Sequence, residues 1–410
     1  MTTTTTDTTT PSPHEPAFPM SRDGKCPFDP PPRGLAAQKE APLTRVTMWD
    51  GSRPWFVTRY AEQRALLSDP RISADISNPG YPSPAPRPKG SGSPLSFILM
   101  DDPEHARLRR MVTAPFMVKR IEAMRPGVQK IIDDLLDEML AGPKPADLVE
   151  AFALPMPSLV ICRLLGVPYS DHDFFQKNSN LIIKRGVSPE DQGAAMGALI
   201  GYLHRLLALK LEQPGEDIFT DLARRVDAGD LSAADAAQMG VLLLIAGHET
   251  TANMIALGTL ALLEHPEQLA RLRDSGDPAL VTSAVEELLR YLTITHDGRK
   301  RIAIADIEIA GQTIKAGEGV IIATDLGNRD PEAFEDPDTL DLERDARHHV
   351  AFGFGVHQCL GQPLARMELQ LAYTTLLRRI PTLALATPID QVPFKNDASV
   401  YGVYELPVTW

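Results

Sequence analysis

Residues 231–263, LSAADAAQMGVLLLIAGHETTANMIALGTLALL, constrain the fold more than any other stretch. They hold no proline, open on Ser232 as a helix cap, and are apolar nearly all round their middle. The pattern predicts one long helix. A helix apolar on every face is buried in a large protein, so the rest of the chain must wrap it. A chain of 410 residues is long enough to do so.

The flanking sequence supplies the wrapping. WFVTRYAEQRALLSDPRIS reads as a strand running into a helix. DPEHARLRRMV opens on Asp-Pro as a helix start, and RPGVQKIIDDLLDEMLA has apolar residues at helical spacing. LVEAFALPMPSLVICRLLG predicts a helix broken at its prolines, LIGYLHRLLALKLEQ another, and 279–291, ALVTSAVEELLRY, one more. After residue 300 the period changes to two, with glycine turns in RIAIADIEIAGQTIKAGEGVIIAT, which predicts short strands. The stretch 325–350 is irregular, CLGQPLARMELQLAYTTLLRR is helical, and ASVYGVYELPVTW reads as a small hairpin. The fold class is mainly α with small β-sheets: a Thr- and Pro-rich disordered tail over 1–20, then a single domain over 21–410. The Pro/Gly/Ser-rich run at 78–96 is no regular element and reads as a lid over a site.

Composition excludes several functions. The net charge of −13 argues against nucleic acid or an anionic membrane as the main partner. No uninterrupted apolar run approaches the roughly 20 residues of a membrane span. The three cysteines, Cys26, Cys162 and Cys359, form no disulfide framework and no paired zinc spacing, which fits a reducing cytoplasm. Cys162 falls in an apolar helix and reads as core packing.

Cys359 differs. It stands at a helix start, where backbone N–H groups and the helix dipole stabilise a thiolate. Gly353 and Gly355 precede it, as a turn with positive φ requires. Gly361 leaves open the space above the sulfur, and Pro363 falls in the first helical turn, where its missing N–H costs little. The loop suits a single soft metal ligand; the alternative is a core cysteine beside a glycine-rich turn.

The run Phe352-Gly353-Phe354-Gly355-Val356-His357-Gln358-Cys359-Leu360-Gly361 resembles the heme-binding signature of the cytochromes P-450. The resemblance implies a P-450 fold, a heme b cofactor and Cys359 as the thiolate ligand of its iron. A thiolate pushes electron density onto iron and favours O–O cleavage. Phe352, Gly353 and Gly361 would pack beside the heme, and His357 would bond a propionate. Three further segments match in order. Ala246-Gly247-His248-Glu249-Thr250, midway along the long helix, matches A/G-G-x-D/E-T. There Ala246 would border the heme, Thr250 would position water and protons at the dioxygen site, and Glu249 would relay protons from solvent. His248, at the variable position, has no assigned role. Glu287-x-x-Arg290, which alone reads as a surface ion pair, matches the structural ExxR. Thr339 stands where many members carry its third, basic partner, so Arg344 or a nearby histidine would substitute. His105 and Arg109 share a helical face, otherwise a solvated basic one, and match the propionate-binding H-x-x-x-R. Arg301, or Arg299 as second choice, would add another propionate partner.

The expected function is that of the soluble actinobacterial three-component type. It is a monooxygenase acting on a bulky hydrophobic natural product or xenobiotic, with electrons from NAD(P)H through ferredoxin reductase and ferredoxin. Arg109, Arg110 and Arg366 are candidate docking cations, and a monomer is expected. Pocket walls are expected from the 78–97 loop, Leu242, Ile245 and Ala246, Ile294 and Thr295, and Val400 and Tyr401. A peroxide-driven peroxygenase and a non-catalytic binding module are the alternatives, and the intact Glu249-Thr250 pair argues against both.

Overall fold

The 231–263 stretch forms one helix, Ala233–Glu264, in the computed structural model, which describes residues 15–22, 24, 26–83, 96–184 and 186–410. Ser232 caps it by accepting from the Asp235 N–H. Every residue from Thr251 to Leu262 is buried. Helices Pro155–Leu165, Pro189–Glu212, Pro278–Leu292 and Gln362–Arg379 pack around it. Two glycines permit the closest approaches. A Cβ on Gly247 would stand 2.6 Å from Ile161, and one on Gly258 2.1 Å from the Tyr373 hydroxyl. The small Gly247 therefore admits a neighbouring helix, while Ala246 beside it is exposed to the cavity.

Among the described residues, two helices, Pro189–Glu212 and Ala233–Glu264, are long and apolar enough to cross a membrane by length and composition. In the second, 78% of the apolar window is buried inside the protein, as a core helix requires. The first buries only 28% of its window, but Leu199, Leu203, Leu206 and Leu207 form a stripe that packs inward.

The proline break falls where expected: a turn of π-helix, Val149–Ala153, gives way at Pro155 to Pro155–Leu165, and Gly166 closes that helix in the left-handed conformation. The predicted strands form. Arg299–Ala303 and Gly319–Ile322 pair antiparallel in a five-stranded sheet, and Trp55–Val57 runs parallel to Gly319–Ile322. Ile307–Ile309 and Gln312–Ile314 make a separate hairpin. One apolar core runs through the helices from Phe28 to Val408, and two smaller clusters flank the sheet.

Two expectations need correction. The C-terminal segment is not a hairpin of its own: Pro407–Thr409 pairs with Ala146–Asp147 on one side and Ala384–Leu385 on the other. The partners lie far away in sequence, so no local pattern shows them. The proposed tail extends too far, because Ala17 bridges to Thr47 and Phe18 and Met20 are buried. Residues 1–14 of that tail, and 84–95 of the lid, lie outside the described residues.

Candidate active site

The cysteine loop is shaped by its glycines. Gly355 has φ +72°, and a Cβ there would stand 2.2 Å from the Leu67 carbonyl oxygen, so glycine is required twice over. Gly353, at φ +73°, lies against the Arg299 guanidinium, with a Cβ–Nε distance of 2.9 Å. The Cys359 N–H donates to the Phe352 carbonyl at 2.9 Å, which closes the loop. Pro363 occupies the first turn of Gln362–Arg379. Above Gly361 the nearest atom to a Cβ would be Cys359 Sγ, at 4.0 Å, leaving the sulfur's open side clear.

Burial pushes the Cys359 thiol above its ordinary value, and this outweighs Arg299, the Gly361 N–H, Arg109 and Arg366, which all pull it down. A coordinated metal ion would favour the ionised sulfur. Among the described residues no three His, Cys, Asp or Glu side chains gather into a metal cage. Cys359 is thus a lone soft donor facing a cavity. Cys162 is buried as core, its thiol raised to about 11 by burial.

That cavity measures about 240 Å³. Phe352, Cys359, Leu360 and Gly361 bound one side, and Leu242, Leu243, Ala246, Gly247 and Thr250 of the long helix bound the other. Ile294 and Thr295 line it as expected, together with Phe97 of the expected 78–97 wall loop and Ile98 just beyond it. Ile245, Val400 and Tyr401 do not. Ile245 packs against the hydrophobic core on another face of its helix. Tyr401 turns away: its hydroxyl donates to the Pro27 carbonyl at 2.9 Å, and Arg22 stacks on its ring. Its backbone N–H holds the Ile294 carbonyl at 2.8 Å, which sets the wall without forming it. Val400 packs against the core beside it.

Among the described residues, three cationic or imidazole side chains line the cavity: Arg109, Arg299 and His357. Arg109 donates to the Gln358 carbonyl at 2.6 Å. His357 is held neutral, its value lowered to about 3 by burial and then by Arg301, His105 and Arg109. The His105 and His357 rings lie 4.1 Å apart, and Asp102 holds His105 Nδ1 at 2.9 Å. Arg301 stands behind this group, donating to the Lys300 carbonyl at 2.7 Å, and does not line the cavity. Arg299, the second choice from sequence, does. Its Nε, His105 Nε2 and His357 Nδ1 are all buried without a hydrogen-bond partner. Arg299 Nε–H is a buried donor left unanswered beside these ring nitrogens, and it calls for an acidic ligand group. The residues present therefore fit a flat, iron-bearing ligand with carboxylates at one edge.

Of the three candidate docking cations, only Arg110 is exposed. Arg109 faces the cavity, and Arg366 is bound to Glu286 through two contacts of 2.6 and 2.9 Å.

The Glu287–Arg290 pair is wholly buried, with contacts of 2.7 and 2.8 Å. Arg344 is its third partner, 3.2 Å from Glu287 Oε1. Thr339 contributes its carbonyl instead, accepting from Arg290 along with the Asn328 and Pro337 carbonyls. The charges are fully hydrogen-bonded, as burial demands.

On the long helix, Thr250 Oγ1 donates to the Ala246 carbonyl at 2.8 Å, one turn back. Glu249 is buried and turned from the cavity, toward His248 and Lys395. Sequence reasoning missed Lys395, which lies in an unremarkable C-terminal loop, and Glu368. Glu368 lines the cavity, and its Oε2 accepts from Thr251 at 3.4 Å. Burial pushes its carboxyl well above the usual range.

A cytochrome P450 family model matches residues 215–384. Cytochrome P450 GfsF of Streptomyces halstedii is 58% identical over 98% of this chain and 97% of its own length. Its crystal structure superposes with a TM-score of 0.90, covering 96% of this chain and all (100%) of that one. Vitamin D3 dihydroxylase of Streptomyces griseolus is 48% identical, covering 99% of this chain and 100% of the enzyme. The crystal structure of CYP105P1 in complex with filipin I has 40% identity and a TM-score of 0.90, covering 97% and 100%. The chain belongs to the cytochrome P450 family, within its actinobacterial CYP105 group. It is a P450 monooxygenase, and membership implies a heme-thiolate cofactor, redox partners and a small-molecule substrate.

Proposed function

We propose that this monooxygenase hydroxylates or epoxidises a bulky hydrophobic natural product or xenobiotic, with electrons passed from NAD(P)H through ferredoxin reductase and ferredoxin. One observation carries the reading: an apolar cavity with Cys359 on one wall and Thr250 on the facing helix. Vitamin D3 dihydroxylase and CYP105P1, the latter crystallised in complex with filipin I, are similar to this chain over nearly its full length, which supports a bulky substrate. The cytoplasm, where ferredoxins and reduced thiols occur together, is the proposed location, and a monomer the proposed state.

Cys359 would hold the heme iron, and Arg109, Arg299, His357 and His105 would hold its propionates, with Arg301 as the charge behind them. Bound there, the heme supplies dioxygen activation and insertion of a single oxygen atom. The chain's own residues do the rest. Phe97, Leu242, Ile294 and Thr295 exclude water and orient the apolar substrate. Thr250 breaks the apolar wall with a hydroxyl that can hold water on the facing side. Glu249 delivers protons to it from the outer face of the helix. The presence of this acid–alcohol pair, adjacent in sequence, favours the monooxygenase over a peroxide-driven enzyme, which needs no proton route from solvent.

The test is reconstitution with ferredoxin, its reductase and NADPH under isotopically labelled dioxygen, with vitamin D3 and filipin I as probes. Incorporation of one labelled oxygen atom into product is expected. Oxidation that proceeds only with hydrogen peroxide would make the protein a peroxygenase.

A further inference from the structure

Thr293 ends the helix Pro278–Leu292 with φ +31° and ψ +81°, in the left-handed region. A β-branched residue is an outlier there, so its neighbours must hold it. The next two residues, Ile294 and Thr295, line the cavity. Resting on the reading of that cavity as a monooxygenase's substrate site, we propose that Arg22 is a positioning residue for this wall. Its guanidinium holds Thr293 and Tyr401 from behind and so sets how far Ile294 and Thr295 reach into the cavity.

Arg22 touches both supports of the wall. Its Nη2 donates to the Thr293 carbonyl at 3.4 Å, and its guanidinium lies 4.2 Å from the centroid of the Tyr401 ring. The Tyr401 N–H donates to the Ile294 carbonyl at 2.8 Å, so the ring under Arg22 is tied to the wall one residue further along. On the other side, Asn328 Nδ2 donates to Thr293 Oγ1 at 2.8 Å, and Oγ1 donates to the Arg290 carbonyl at 2.9 Å. Asn328 Oδ1 accepts from the Val350 N–H at 2.8 Å, just before the cysteine loop. The wall is thus fixed to the cysteine loop through Asn328 and to the N-terminal segment through Arg22. Arg22, Thr293, Asn328 and Tyr401 do not line the cavity themselves.

The segment that carries Arg22 is anchored on both sides of it. Before it, Ala17 bridges to Thr47, and Phe18 and Met20 are buried with Phe56, Ile321 and Leu326. After it, the Pro27 carbonyl accepts from the Tyr401 hydroxyl at 2.9 Å and the Phe28 carbonyl from Arg329 at 3.1 Å. The Arg22 side chain is 1% exposed, and its Nε and Nη1 have no hydrogen-bond partner among the described residues. Asp325 Oδ2 stands 3.6 Å from Nη2. Burial pushes that carboxyl up to about 6 against the pull of Arg22, so the pair is loosely matched. A buried arginine answered so incompletely costs stability, which an apolar side chain of its volume would not. Breaches of this kind fall where function needs them. Here the breach meets a strained turn that opens onto the cavity.

The test uses the holoprotein and iron-ligating azoles of graded size, imidazole, phenylimidazole and clotrimazole, each titrated by its shift of the heme Soret band. Arg22→Met is expected to narrow the preference for the bulky azoles over imidazole by roughly fivefold or more, the worth of about one hydrogen bond, with imidazole affinity unchanged. Arg22→Met/Asp325→Asn leaves no unpaired buried carboxylate and is expected to do the same. Thr293→Gly added to Arg22→Met is expected to recover part of the preference, because glycine takes the left-handed turn without strain. Hydrogen–deuterium exchange, which needs no heme ligand, is expected to quicken over 293–298 and around Tyr401 in the Arg22 variants, while the long helix keeps its protection. Azole preference and local exchange both unchanged in the double variant would overturn the proposal. Exchange faster throughout the fold would overturn it too, leaving Arg22 a stabilising residue only. A wild type that shows no azole shift defeats the monooxygenase reading instead, and the exchange result still decides the proposal.

Discussion

Arg299 decides the charge balance of the cavity. Its guanidinium donates to the Ala351 carbonyl at 3.1 Å, its Nε has no partner, and no carboxylate pairs with it among the described residues. Burial and then Arg301 pull it down to about 10, while Cys359 opposes them. A buried cation of this kind needs an anion, and a heme propionate supplies one. Arg299→Leu is therefore expected to release heme to an acceptor protein roughly tenfold faster, about the worth of one charge-assisted hydrogen bond. Arg301→Leu is expected to have the smaller effect. Thr250→Ala should keep consuming NADPH while product formed per NADPH falls; an unchanged yield would remove Thr250 from the proton route. Cys359 and Thr250 were legible in the sequence because their motifs are local. Arg299 and Arg301 were not separable, since alternate residues of a strand share one face and only packing decides which side chain enters the cavity. Lys395 carried no signal, because its contact with Glu249 joins distant parts of the chain.

At the scale of elements, the long helix was readable from length and apolarity, but its closest contacts were not. Gly247 lies where Ile161 presses into the helix. Gly247→Ala is expected to destabilise by about 1–3 kcal/mol through overpacking, measured by urea unfolding. Ile161→Val in the same chain should recover part of that loss; no recovery would mean the clash lies elsewhere. Glu287-x-x-Arg290 looks like any helical ion pair in sequence, and only burial distinguishes it. The C-terminal strand was misread as a hairpin because its partners, Ala146–Asp147 and Ala384–Leu385, are set by tertiary packing.

Across the whole molecule, Glu286 ties the ExxR helix to the helix after the cysteine loop. It accepts two bonds from Arg366, and His349 Nε2 lies 3.1 Å away. Burial would raise its carboxyl, but His349 and Arg366 outweigh burial and hold it at about 2, below the ordinary 4.5. A carboxyl lowered on folding stabilises the fold above its unfolded value and loses that contribution as pH falls from 4.5 toward 2. Glu286→Gln should thus be less stable than wild type at about pH 6, with the gap in urea midpoint shrinking toward about pH 3. A gap independent of pH would assign the effect to packing alone. The mainly helical architecture was legible because helix and strand periods are local, whereas this tie between helices had no local sign.

The account rests on Cys359 as the ligand of heme iron, and the carbon monoxide difference spectrum of the dithionite-reduced protein tests that directly. The strongly red-shifted Soret band of a thiolate-ligated heme is expected for the wild type, and its loss in Cys359→His. A wild-type protein that binds heme yet shows only the unshifted, histidine-type band would contradict it.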